Sequence, residues 1–166
     1  MSDKKTFRSF SRYEWHKGFY NDDDPTKTLS NIRYDDFFEY PEDEEFPYYS
    51  AYELLCGSCH IFALTLSKVF NYKPYIIESI SRKGFHAFCQ IYIKGDWCYV
   101  DARGITTSFN EFMDIAKTFV TDEYIIRSID SNDIDEWEKD SNYDKEAYAF
   151  AKAIIEKYKD CYVIEK

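Results

Sequence analysis

Residues 86–101 constrain this chain more than any other stretch. They read His86-Ala-Phe-Cys-Gln-Ile-Tyr-Ile93, then Lys94-Gly95, then Asp96-Trp-Cys-Tyr-Val-Asp101. Alternating apolar residues on both sides of a two-residue Lys-Gly break are the pattern of a β-hairpin. With a two-residue loop Ile93 faces Asp96, Asp101 lies opposite Phe88, and His86 becomes its diagonal neighbour on the same face. Moving the loop to Gly95-Asp96 keeps His86 and Asp101 together, whereas a three-residue loop separates them. One hairpin face then carries Ala87, Cys89, Ile91, Ile93, Cys98 and Val100 as an aliphatic core surface. The other carries His86, Phe88, Tyr92, Trp97, Tyr99 and Asp101, and is expected to pack on the helix described next.

That helix is announced by Cys56-Gly57-Ser58-Cys59-His60-Ile61-Phe62-Ala63-Leu64. Ser58 is a candidate N-cap, which makes Cys59 the first helical residue. Phe62, Ala63, Leu66, Val69 and Phe70 fall on its stripe, so the sulfur points toward whatever the helix packs against. Unpaired N–H groups at a helix N-terminus favour negative charge, both a thiolate and the oxyanion of a tetrahedral intermediate.

Cys59, His86 and Asp101 together supply what thiol acyl transfer needs. A thiol attacks a carbonyl, an imidazole takes and returns the proton, and a carboxylate fixes the imidazole tautomer and stabilises its cation. Each residue alone has a structural explanation: a small buried cysteine, or a polar residue at a strand end.

The ordered set resembles the transglutaminase-like branch of the papain-like cysteine enzyme superfamily. That family's core reads Gly-x-Cys-x-x-Phe/Tyr-Ala, then His-Ala-Trp, then Gly-x-Trp and Asp. The matching residues are Gly57, Cys59, Phe62-Ala63, His86-Ala87-Phe88, Gly95-Asp96-Trp97 and Asp101, within residues 52–105. Phe88 replaces the family's tryptophan, and the short stretch from Cys59 to His86 leaves little room for extra strands or a lid. Ala102-Arg103-Gly104-Ile105-Thr106-Thr107 looks like small members carried by bacteria and their phages. The resemblance implies a Cys59 nucleophile, a His86 base and an Asp101 orienter, acting on a protein or peptide amide as peptidase, deamidase or cross-linker. It implies an α+β domain with the active-site helix packed on an antiparallel sheet, and no metal or organic cofactor.

Other readings compete for the same cysteines. Cys56-Gly57-Ser58-Cys59-His60 matches a haem-attachment pattern, but the first residues carry no apolar export segment and Met113 is the only internal methionine. A Cys56/Cys59 redox pair lacks a preceding βαβ pattern. A zinc site with Cys89 and Cys98 conflicts with their place on the aliphatic hairpin face. Five cysteines without an export signal read as reduced thiols in a cytoplasmic protein.

The length of 166 residues suits a single domain spanning the chain, and no long apolar run suggests a membrane span. A net charge of −10 argues against nucleic-acid binding. Acidic residues cluster at Asp22-Asp23-Asp24, Asp35-Asp36 and Glu42-Asp43-Glu44-Glu45. They read as solvated loops; the alternative is a non-catalytic, Tyr-rich acidic surface that docks a basic protein partner or mimics nucleic acid.

Elsewhere the patterns predict a short helix within 48–55, strands at 73–80 and 124–129, a helix over 109–119, and a helix over 141–158 capped by Ser141. An edge strand is expected at 161–164. His60 is expected to face solvent, His16 to be surface or structural, and Gly104 to end its strand. Arg103 is expected in an ion pair or on a substrate carboxylate, and Trp97 beside His86.

Overall fold

The computed structural model describes residues 18–80, 84–120, 123–139 and 143–163. Among these, five strands form one antiparallel sheet: β1 (Lys73–Ser79), β2 (Phe85–Ile93), β3 (Asp96–Asp101), β4 (Gly104–Thr106) and β5 (Tyr124–Ser128), in the order β4-β3-β2-β1-β5. Five helices accompany it: α1 (Pro25–Ser30), α2 (Cys59–Phe70), α3 (Phe109–Ala116), α4 (Ser131–Glu138) and α5 (Asp144–Lys157). The expected α+β arrangement of a helix on an antiparallel sheet is present. The short helix expected within 48–55 is a 3-10 turn, Ala51–Leu54, closed by a Ser50/Glu53 capping box.

The hairpin register is the one with a Lys94-Gly95 loop. Ile93 pairs with Asp96 and Cys89 with Val100. Both loop residues have positive φ, 53° and 85°, the left-handed pair that matches the twist of the flanking strands.

The face on which α2 packs differs from expectation. Cys59, Ala63 and Leu66 join Ala87, Cys89, Cys98 and Val100 in the main core, and the Cys89 thiol donates to the Ala63 carbonyl at 3.3 Å. The aliphatic helix stripe therefore meets the aliphatic hairpin face. The aromatic face takes α3 instead, with Phe88 and Phe112 ring centroids 4.6 Å apart and Ile77 and Ala116 completing a second core. Shape explains the exchange: small and branched side chains let a helix approach a sheet closely, while stacked rings need an aromatic partner. Tyr92 and Trp97 lie at the exposed hairpin end, packed edge to face at 5.0 Å.

Behind α2 lies α5, whose Ala147, Phe150, Ala151, Ile154 and Ile155 are fully buried. This second contact explains why Ile61 and Thr65 are buried too, widening the α2 stripe, while Val69 emerges at 40 % exposure. The Ser141 cap lies outside the described residues; α5 begins at Asp144. In place of the edge strand at 161–164, Lys159–Cys161 form a 3-10 turn that swings Tyr162 inward, where its hydroxyl donates to the Ala102 carbonyl at 2.8 Å. Ile164 is outside the described residues.

Several acidic residues have local duties. Asp24 caps α1, accepting from Lys27 N at 3.3 Å, and Asp36 accepts from Arg33 N at 2.9 Å. Asp43 accepts from Glu45 N at 2.9 Å and from the Tyr143 hydroxyl. No helix among the described residues is long and apolar enough to cross a membrane.

Candidate active site

The approach to Cys59 is set by the turn before it. Gly57 has φ of 112°, a conformation in which a side chain is strained, and Ser58 N donates to the Glu53 carbonyl at 3.0 Å. Ser58 occupies the N-cap position, but its hydroxyl pairs with the Tyr48 hydroxyl at 2.9 Å and makes no cap bond. The first-turn N–H groups of α2 thus keep their position around Cys59 without a side-chain cap from Ser58.

His86 and Asp101 come together as the register requires. Imidazole Nε2 and carboxylate Oδ2 are 3.0 Å apart, with His86 fully buried and Asp101 3 % exposed. Cys59 joins them from the opposite face of the sheet. The β2–β3 ladder stops at Cys89–Val100, because Asp101 turns back to pair with Gly104 of β4. Beyond that point Ala87 N–H donates to Cys59 Sγ at 3.2 Å. Gly104 therefore opens β4 and does not end a strand.

Burial opposes a charged imidazole, yet the Asp101 hydrogen bond and the adjacent Cys59 outweigh it and hold the His86 pKa up at about 9. Burial likewise opposes the Asp101 charge, but Arg103 and His86 pull its carboxyl well below the usual carboxylate range. Nδ1 of His86 has no full hydrogen bond among the described residues, while Cys59 is close enough to raise the proton affinity of the ring.

Rings enclose the imidazole. Phe119 stacks on it at 5.9 Å and 6°, Phe112 lies at 5.8 Å and Phe88 at 6.5 Å. Trp97 takes no part, being half exposed at the hairpin end. Phe119 is set by Gly84, where any Cβ would overlap the Phe119 carbonyl. Gly84→Ala should therefore cost about 1–3 kcal/mol in urea unfolding and loosen the ring over His86; an unchanged unfolding midpoint would show that the close approach is dispensable.

His60 does not face solvent. Its ring packs on Trp137 of α4 at 4.8 Å, Trp137 in turn stacks on Phe85 at 5.5 Å, and burial lowers the His60 pKa. Cys59 itself is only 5 % exposed.

Arg103 forms the ion pair, facing inward on Asp101. Tyr20 covers its guanidinium at 4.6 Å. Behind this pair is a cavity of about 320 Å³, lined by Tyr20, Asp22, Asp23, Thr26, Arg103 and Glu111 among others. Neither Cys59 nor His86 lines it. Tyr20, Phe112, Phe119 and Trp137 carry no sequence signal of a site role, whereas Arg103 stands out two residues beyond the acid.

All five cysteines are free thiols, and no group of three or more His, Cys, Asp or Glu able to hold a metal occurs among the described residues. His16 lies outside those residues. Fold and site together define an α+β protein with a buried thiol, imidazole and carboxylate converging at the N-terminus of one helix. Comparison with protein-family models, curated proteins and solved structures finds no match.

Proposed function

We propose that this protein is a thiol-dependent enzyme that transfers or hydrolyses the acyl group of an amide, with Cys59 as nucleophile, His86 as base and Asp101 as orienter. Within that class, we propose a transglutaminase-like member of the papain-like type. One observation carries the reading: a fully buried imidazole hydrogen-bonded to a carboxylate on one side with a helix N-terminal thiol beside it.

In this mechanism the Cys59 proton rests on His86, whose proton affinity Asp101 and Cys59 raise, and the resulting thiolate attacks the carbonyl of a glutamine-type or peptide amide. N–H groups of the first α2 turn stabilise the oxyanion. The C–N bond breaks as His86 returns the proton to the departing amine or ammonia, leaving an acyl thioester on Cys59. Water or an amine then attacks the thioester, giving its proton to His86 and releasing the thiol. No step calls on a metal or organic cofactor. With Cys59 at 5 % exposure, turnover requires movement of the side chains that cover it.

A non-catalytic acidic surface for a basic partner draws less support, because Asp24, Asp36 and Asp43 accept bonds from nearby backbone N–H groups.

The test is incubation with blocked glutamine peptides and unfolded protein, with and without hydroxylamine. Ammonia or hydroxamate release, or peptide cleavage, is expected from the native chain. Cys59→Ala should lower it at least ~10³-fold. Turnover that survives in Cys59→Ala would overturn the reading.

A further inference from the structure

Arg103 is the best-held charged side chain near the site. Its guanidinium donates to both Asp101 oxygens: Nε to Oδ1 at 3.1 Å and Oδ2 at 3.3 Å, and Nη2 to Oδ2 at 2.6 Å. Its backbone N–H adds a fourth bond, to Oδ1 at 2.9 Å. Two further bonds tie the guanidinium to α3, with Nη1 on the Glu111 carbonyl at 3.3 Å and Nη2 on the Phe112 carbonyl at 3.0 Å. The side chain is 3 % exposed, roofed by the Tyr20 ring, whose hydroxyl lies 3.5 Å from Asp101 Oδ1. These bonds commit the guanidinium to Asp101 and to α3. It is a fixed support for the carboxylate that holds His86.

We propose that Arg103 is a positioning residue that keeps Asp101 ionised and fixed in orientation, and thereby sets the proton affinity of His86. This rests on the acyl-transfer reading for its catalytic meaning, but its physical content is independent of turnover. The sign follows from charge. A proton on the Asp101–His86 pair is repelled by the guanidinium, so removing that charge makes the pair hold its last proton to higher pH. The groups facing the pair are Cys59 on the imidazole, Arg103, Tyr20 and the buried Tyr162 on the carboxylate side, Cys56 further off, and Glu111 and Asp114 of α3 beyond the guanidinium. Of these, only Arg103 is a cation. Its planar fork also fixes the carboxylate rotation, which a lysine ammonium does not reproduce.

The experiment is ¹³C-histidine NMR titration of the full chain and of Arg103→Gln, Arg103→Met and Arg103→Lys, with iodoacetamide labelling of Cys59 on the same samples. The His86 resonance is identified by its loss in His86→Ala. Removing the charge should raise the His86 midpoint by about one pH unit or more. Arg103→Lys should bring it back to within about half a unit while labelling of Cys59 stays several-fold lower. A folded Gln or Met variant whose His86 titrates as in the native chain overturns the proposal. If neither folds, the lysine variant decides: native behaviour in both the titration and the labelling overturns it, and slowed labelling supports it. Absence of selective Cys59 labelling in the native chain would remove the enzymatic reading while leaving the His86 shift as a separate result.

Discussion

Asp101→Ala is expected to cost about 3–5 kcal/mol of unfolding free energy, the range seen when one partner of a buried ion pair is removed. The loss is large because two charged neighbours are stranded together. Arg103 is 3 % exposed and keeps only the backbone carbonyls of Glu111 and Phe112 as acceptors, and His86, fully buried, loses the carboxylate 3.0 Å from its ring. An isosteric Asp101→Asn keeps the shape but not the charge, and should recover only part of the loss. Urea unfolding at pH 6 reads both. A cost below about 1 kcal/mol for Asp101→Ala would place this pair with ordinary exposed ion pairs and contradict the description of a desolvated cluster.

The same contact makes stability depend on pH. His86 is held at about 9 against an ordinary 6.5, so its stabilisation is fully present below about pH 6.5 and is lost as pH rises through about 9. Asp101 is held below the carboxylate range, so its stabilisation is present above the ordinary value of 3.8 and is lost as pH falls through its lowered value. The two shifts describe one interaction and are counted once. Urea midpoints should therefore peak between about pH 4.5 and 6.5 and decline toward pH 9, with the alkaline decline weakened in Asp101→Ala.

Much of this geometry is legible in the order of residues. Alternation around Lys94-Gly95 narrows the hairpin to two registers, and either one puts His86 and Asp101 on the same face. The Gly57-Ser58 break and the stripe that follows place Cys59 first in its helix. What the residues do not reveal is which face the helix chooses, since both hairpin faces are apolar and the decision lies with α3 and its Phe112. Nor do they reveal α4, whose Ser-Asn-Asp-Ile-Asp-Glu-Trp-Glu has no buried stripe and attaches by Trp137. The closing of β3 onto β4 depends on Gly104 at φ of 128°, and a glycine after a strand reads equally well as its end. The resemblance to transglutaminase-like enzymes rests on the short motifs alone, and it is the chemistry that carries the proposal.

Replacing His86 by alanine should have the largest effect on reactivity. Cys56 and Cys161 are half-buried and Cys59 is buried, so exposure alone puts Cys59 behind them in any reaction with an alkylating agent. Burial raises the Cys89 thiol strongly and the Cys98 thiol to about 12, which removes both from competition near neutral pH. Only an imidazole able to take the thiol proton, together with the helix N-terminus, would reverse the order.

Site-resolved iodoacetamide labelling from pH 5.5 to 9, read by mass spectrometry in the native chain and in His86→Ala, tests this directly. The expected result is Cys59 labelled ahead of the more exposed Cys56 and Cys161 at pH 6.5, with that preference falling ~10²-fold in His86→Ala. Labelling that follows exposure, with Cys56 and Cys161 first and no effect of His86→Ala, would contradict an activated Cys59–His86 pair.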